Sequence, residues 1–273
     1  LDDVIRVFAG FRDKDGVSRI GYVDLAAEDP SRVLYVSTEP VLDVGAAGAF
    51  DDNGVILGDV VRLDDEWRMY YVGFQLVARA KFLAFSGLAT SVDECRTFKR
   101  VSITPIMDRS DEGMFIRAIH TALFDEGRWK VWYAAGAGWE SIGGSPYPRY
   151  EIRYLESHDG VSFGREGSVC LSPAEHEYRI GRPRVFKQGG TYRMLFTHGG
   201  LDGSYLPGYA ESFDGKIWTR RDDLIGISTS ETGWDAKALC YPALLAVGSA
   251  RYLFYNGGDM GRDGFGYAEL ADG

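Results

Sequence analysis

A short run of bulky, mostly apolar residues returns at near-constant intervals along this 273-residue chain. It reads Ile5-Arg6-Val7-Phe8-Ala9, Trp67-Arg68-Met69-Tyr70-Tyr71, Trp129-Lys130-Val131-Trp132-Tyr133, Tyr192-Arg193-Met194-Leu195-Phe196 and Arg251-Tyr252-Leu253-Phe254-Tyr255. The starting residues lie 62, 62, 63 and 59 positions apart. Each run is followed by a turn and a strand containing Gly or Ser. A period of this length built from strands predicts four-stranded blades fanned around an axis. The expected fold is therefore all-β, a single five-bladed β-propeller over residues 1–273. In such a ring the shared concave surface is the mouth of the central channel, so functional groups are sought there.

The second unit reads as strands at residues 55–63, 68–74, 82–90 and 98–106. The third reads as 115–124, 130–135, 151–156 and 163–171, and the fourth as 181–187, 193–198, 207–211 and 218–225. Turns between the inner strands, such as Asp64-Asp65-Glu66 and Asp125-Glu126-Gly127, are rich in the residues that tight hairpins require. A second signature joins the third and fourth strands: Ser157-His158-Asp159-Gly160 and Ser212-Phe213-Asp214-Gly215, with a looser copy at Ser91-Val92-Asp93-Glu94. It reads as structural, Asp-Gly supplying the turn and the aromatic beyond it covering the blade edge. The first unit opens on its second strand, at residues 5–11. The fifth shows strands at 238–247, 251–255 and 265–270 with no outermost strand. The expectation is that both missing strands precede Leu1.

Composition narrows the function. Aromatic residues make up 14% of the chain, which suits half-buried strands and also stacking on sugar rings. Thirty basic against forty acidic residues leave a net charge of −10 without a basic stripe, which argues against nucleic acid as a partner. No apolar run approaches the roughly 20 residues that span a bilayer, so no membrane partner is expected. Cys95, Cys170 and Cys240 are odd in number and widely spaced, which points to a reducing, cytoplasmic setting. Nothing in the motifs calls for a metal or cofactor.

Inner strands of a propeller begin at the channel mouth, and their first residues are the site candidates. Asp51 and Asp52 form an acidic pair. A carboxylate there can serve as nucleophile or base in glycosidic cleavage, or one of the two can cap a turn into Gly54. Asp52 is the preferred catalytic residue, with Glu112 or His120 as proton donor; His120 also reads as a core histidine. Arg117 and Arg182 occupy near-equivalent places and would hold a carboxylate or phosphate, or pair with mouth carboxylates. Arg12, Asp13 and Tyr241 complete the substrate-binding set. Cys240 lacks the neighbours that would activate a nucleophile.

The segments Arg12–Asp24, Gly48–Val55, Cys240-Tyr241-Pro242 and Tyr255-Asn256-Gly257-Gly258 resemble five-bladed β-propeller proteins of a glycoside-hydrolase-like family. That family is often linked to polysaccharide or sugar-metabolite biosynthesis. More remotely the blades resemble arabinanases, xylosidases, invertases and fructosyltransferases. The resemblance implies an Asp on the first inner strand, an Asp on the second, matched by Asp52, and an acid-catalyst Glu on the third. The third match fails, since that place falls near Ile119 beside His120. The expected function is an enzyme cleaving or transferring a glycosidic bond of a sugar conjugate bearing an anionic group. The alternative is a non-catalytic sugar- or nucleotide-sugar-binding accessory protein in glycan biosynthesis. In either case the partner is a small-molecule sugar; no oligomeric state is read.

Overall fold

A computed structural model describes residues 3–270. The chain divides into two compact units, Leu1–Val131 with Leu155–Glu166, and Trp132–Tyr154 with Gly167–Gly273. Apart from short helical turns, its regular structure is β-strand.

In the first unit, β1 (Val4–Arg12), β2 (Ser18–Ala26) and β3 (Val33–Val36) form an antiparallel meander. A second blade follows with β4 (Val55–Leu63), β5 (Glu66–Gln75), β6 (Leu83–Ser91) and β7 (Lys99–Arg100). The next strand, β8 (Ile116–Asp125), meets β6 in parallel at Ala84–Ile116 and Phe85–Arg117. Then β9 (Arg128–Ile142) and β10 (Ser145–Ser157) each pass from one unit into the other, and β11 (Ser168–Leu171) edges β10.

The second unit holds a blade of β12 (Glu177–Gln188), β13 (Thr191–Gly200), β14 (Tyr205–Ser212) and β15 (Thr219–Arg220). A further meander comprises β16 (Cys240–Val247), β17 (Ala250–Asn256) and β18 (Phe265–Glu269). Again a parallel bridge, Tyr150 with Arg179, leads from the third strand of one blade to the first of the next.

Four of the five recurrent bulky runs, in β5, β9, β13 and β17, are the second strands of their sheets, while the run at residues 5–9 lies in β1. Met69, Tyr70 and Tyr71 are all fully buried, as are Val131, Trp132 and Tyr133. A strand covered on both faces carries apolar groups on successive residues rather than on alternate ones. That is why the signal is a run and not a simple period of two.

The repeat of the sequence reappears as a repeat of contacts. In the signature turn Ser157 Oγ donates to Asp159 Oδ1 and accepts from the Gly160 amide, while the amides of Val161 and Ser162 donate to Asp159 Oδ1. Ser212 and Asp214 repeat this with Gly215, Lys216 and Ile217. Those backbone amides hold both Asp carboxyls below their ordinary range. The turn then locks to the preceding second strand. Tyr70 donates its hydroxyl proton to the Gly160 carbonyl (3.0 Å), and Trp132 donates from Nε1 to the Gly215 carbonyl (2.8 Å). Arg68 and Arg6 likewise donate to the carbonyls of Asp159 and Glu94. A turn that meets every neighbour in this way must keep its Ser-x-Asp spacing.

Two more links join blades of the first unit. Ser86 Oγ donates to the Arg117 carbonyl and accepts from the Ile119 amide, and Asp59 Oδ2 accepts from the Ala122 amide. Beside them a Cβ on Gly58 would lie 2.2 Å from the Ile119 carbonyl oxygen, so only glycine lets β4 come this close to β8.

The outermost strands differ from expectation in length. Residues 98–106 and 218–225 contribute only β7 and β15, of two residues each. An edge strand has a ladder partner on one side only, and a short one limits unpaired backbone. By contrast β9 and β10 extend well beyond 130–135 and 151–156, the added lengths joined by the positive-φ pair Gly143-Gly144.

Candidate functional site

One gathering of candidate groups lies near the starts of β12 and β16, within the second unit. Both strands are bulged, between Gly181 and Arg184 and between Cys240 and Ala243. At the bulges sit Arg182 and Tyr241, with φ of 54° and 59°, and each precedes a proline. Left-handed backbone is unfavourable for a residue with a side chain of this size. It persists because the surroundings fix it. The Tyr241 amide donates to Thr197 Oγ1 on β13 at 2.8 Å, and the Arg182 guanidinium stacks 4.6 Å above the Tyr241 ring. The structure thus brings together two of the residues singled out in the sequence.

Around them stands an aromatic wall. Tyr205 meets Tyr241 edge-on at 5.8 Å, and Tyr147 meets Tyr178 at 5.7 Å. Inside it lies Arg179, 6% exposed, with its guanidinium carbon 4.3 Å from the Tyr205 ring centre, 4.9 Å from Tyr178 and 5.9 Å from Tyr150. Arg179 lies two residues before the strand expected at 181–187, and nothing in the local pattern marked it above its neighbours. The signal is its three-residue spacing from Arg182, which a bulge converts into a shared neighbourhood.

Glu177, two residues earlier, is buried and accepts both terminal nitrogens of Arg220 at 2.9 and 2.7 Å. His198 Nδ1 lies 2.7 Å from its Oε1, and the Ala174 amide donates to Oε2. Burial pushes the Glu177 carboxyl up, but His198, Arg220 and the amide together outweigh it and hold the group well below the usual carboxylate range. Cys240 is buried, and burial raises its thiol to about 12, so it is a protonated filler at neutral pH.

In the first unit the acidic pair separates into two environments. Asp51 is 1% exposed; its Oδ2 accepts from Tyr71 Oη at 3.1 Å and from Arg100 Nε at 2.7 Å. Asp52, just before β4, is only part-buried and accepts from the Gly48 amide at 2.8 Å. Asp51 supports the structure around it, whereas Asp52 keeps access to solvent.

Glu112 and Arg117 are brought together as a buried ion pair of 3.1 Å, with side chains 3% and 4% exposed. Arg117 also donates to the carbonyls of Asp108 and Gly164. His120 is buried within β8. Arg12 is exposed at the end of β1, and Asp13 caps the following turn, accepting from the amides of Asp15 and Val17 and from Arg19. Among the described residues no cluster of three or more His, Cys, Asp or Glu side chains is arranged to hold a metal ion. No helix among them is long and apolar enough to cross a membrane.

No protein-family model matches the chain. Two relatives from Mycobacterium tuberculosis, "Uncharacterized protein Rv1502" of strain ATCC 25618 / H37Rv and "Uncharacterized protein MT1551" of strain CDC 1551 / Oshkosh, are each 31% identical over 269 residues. The match covers 98% of this chain and 88% of each relative. Among solved structures, one described as a glycoside hydrolase superposes with a TM-score of 0.71 at 15% identity, covering 100% of this chain and 89% of its own. A thermostable family-43 glycoside hydrolase gives 0.70 at 14% identity, covering 98% and 91%. A Bombyx mori GH32 β-fructofuranosidase in complex with sucrose gives 0.66 at 15%, covering 98% of this chain and 56% of its own. Identities this low speak to the fold, which is all-β and propeller-like, as the strand period predicted.

Proposed function

We propose that this chain, which belongs to the same family as the Mycobacterium tuberculosis protein Rv1502, is a carbohydrate-active protein of glycoside-hydrolase type. Its ligand is a sugar conjugate that carries an anionic group. The observation that carries this reading is the pair of strained bulges that set Arg182 against Tyr241. Backbone strain of this kind clusters where a fold must present particular side chains. Here it presents a guanidinium and a tyrosine beside further tyrosines, a surface suited to a pyranose face and a negative substituent.

For catalysis the candidate carboxylate is Asp52, acting as base or nucleophile. Its solvent access and single amide partner support this choice over Asp51, which Arg100 and Tyr71 engage. Of the two proton donors, Glu112 is engaged by Arg117, which favours His120. The test is a product assay on Asp52→Asn beside titration calorimetry with nucleotide sugars and simple glycans. The expected result is a folded variant that binds without turning over. Unaltered turnover would eliminate Asp52.

The same Glu112–Arg117 pair supports a second reading. A protein whose candidate acid is tied into a buried ion pair can bind a glycan without cleaving it. Wild-type binding with no product from any glycan tested would establish that accessory role.

A further inference from the structure

Among the described residues the buried cations other than Arg179 are paired. Arg117 is paired by Glu112, and Lys130 by Asp125 and Glu126. Arg179 is buried as deeply, yet no ion pair or hydrogen bond joins its side chain to the described residues, and its Nε is fully enclosed without an acceptor. A guanidinium keeps its charge at any working pH. An enclosed charge without a counter-ion is unfavourable, and desolvated N–H donors add to that.

The surrounding tyrosines do not neutralise it. Burial raises the hydroxyls of Tyr178, Tyr205 and Tyr241, so these groups remain neutral. Their ring faces attract the cation, but an aromatic face offers no lone pair to an N–H donor in the guanidinium plane. The site is also built, not incidental. A Cβ on Gly199 would stand 3.0 Å from Arg179 Nε, and one on Gly181 would stand 2.6 Å from the Tyr150 ring. Two glycines make room for this arginine and its cage.

We infer that Arg179 is the anchor for an oxyanion of the ligand, a carboxylate or a phosphate received at its guanidinium among the tyrosines. The inference rests on the carbohydrate reading above for the rest of the ligand and assigns its charged substituent to one residue. Arg182, stacked on Tyr241, then borders the site.

The test compares the intact chain with Arg179→Met and Arg179→Lys, by thermal melts and by titration calorimetry. The probes are D-glucuronate, D-glucose 6-phosphate, inorganic phosphate and D-glucose, at matched ionic strength. The expected result is an unchanged or higher Tm for Arg179→Met, since the variant removes an uncompensated charge. The wild type should bind one anionic sugar at least about tenfold more tightly than glucose, the scale of a charge-assisted pair. Arg179→Met should lose that preference, and Arg179→Lys should keep the fold while weakening it. Preference for glucuronate identifies a carboxylate, and preference for glucose 6-phosphate a phosphate.

A lowered Tm or failure to fold in Arg179→Met makes the arginine structural and overturns the inference. So does a wild type with no anion preference, or a preference that survives in Arg179→Met. Glucose bound equally by wild type and Arg179→Met, without anion preference, defeats the inference alone and leaves the carbohydrate reading standing. Binding of inorganic phosphate as tight as that of either sugar, and lost in Arg179→Met, keeps the anchor and removes the sugar.

Discussion

Arg182 and Tyr241 adopt the same unfavourable backbone on neighbouring first strands, and the guanidinium of one rests 4.6 Å above the ring of the other. Each stands before a proline at a β-bulge, so the chain reaches this geometry twice by the same local device.

The strain has a measurable sign. In an ordinary strand, glycine is the more destabilising replacement, by roughly 0.5–1 kcal/mol relative to alanine. At Tyr241 the order should reverse, because alanine keeps the left-handed cost that glycine removes. Tyr241→Gly should be more stable than Tyr241→Ala by about 1 kcal/mol. Urea denaturation of the two variants measures this directly.

The acidic pair should divide by effect. Asp51→Asn removes the partner of Arg100, whose side chain is part-exposed, and should cost about 2 kcal/mol, below the range for a fully enclosed pair. Asp52→Asn should leave stability within about 0.5 kcal/mol, as for an accessible group, and should abolish turnover. Denaturation curves and a product assay on both variants separate the two roles.

Glu177 should make stability depend on acid. Its folded carboxyl lies below its unfolded value, near 4.3 in an unperturbed chain. The group therefore adds stability that is fully present above that unfolded value and lost as pH falls through the folded one. Glu177→Gln should cost about 2 kcal/mol at neutral pH and flatten the decline on acidification. Melting curves from pH 7 down to pH 3 would show the two profiles converging.

Gly58→Ala should destabilise the first unit by about 3 kcal/mol, at the upper end for overpacking, because the added methyl meets backbone that cannot rotate away. A change below about 0.5 kcal/mol in chemical denaturation would show that β4 and β8 are free to part.

Much of the strand plan was legible in the residues. The span 55–63 forms β4 without change, and the bulky runs from Trp67 onward are the second strands of their sheets, while the run at residues 5–9 lies in β1, the first strand of its meander. Hydrophobic period reports burial, and burial on both faces of a strand leaves an unmistakable run. The outer strands were less legible because pairing on one edge imposes little pattern. The long reach of β9 and β10 escaped for a related reason: residues 136–149 are nearly all exposed or part-exposed, so no apolar period marks them.

By itself, then, the chain determined its blade period, its turns and the all-β class, because those depend on neighbours a few positions away. It also placed Arg182 and Tyr241 at the starts of successive first strands. Which polar groups are matched was decided only in three dimensions. Asp51 and Asp52 stand side by side in line, yet one is enclosed by Arg100 and Tyr71 and the other meets solvent. Arg117 and Arg179 are alike as buried arginines on first strands, but Glu112 lies beside the first, and the rings of Tyr150, Tyr178 and Tyr205 lie beside the second. Pairing of a buried charge depends on residues far apart in sequence, and only the folded arrangement brings them within reach.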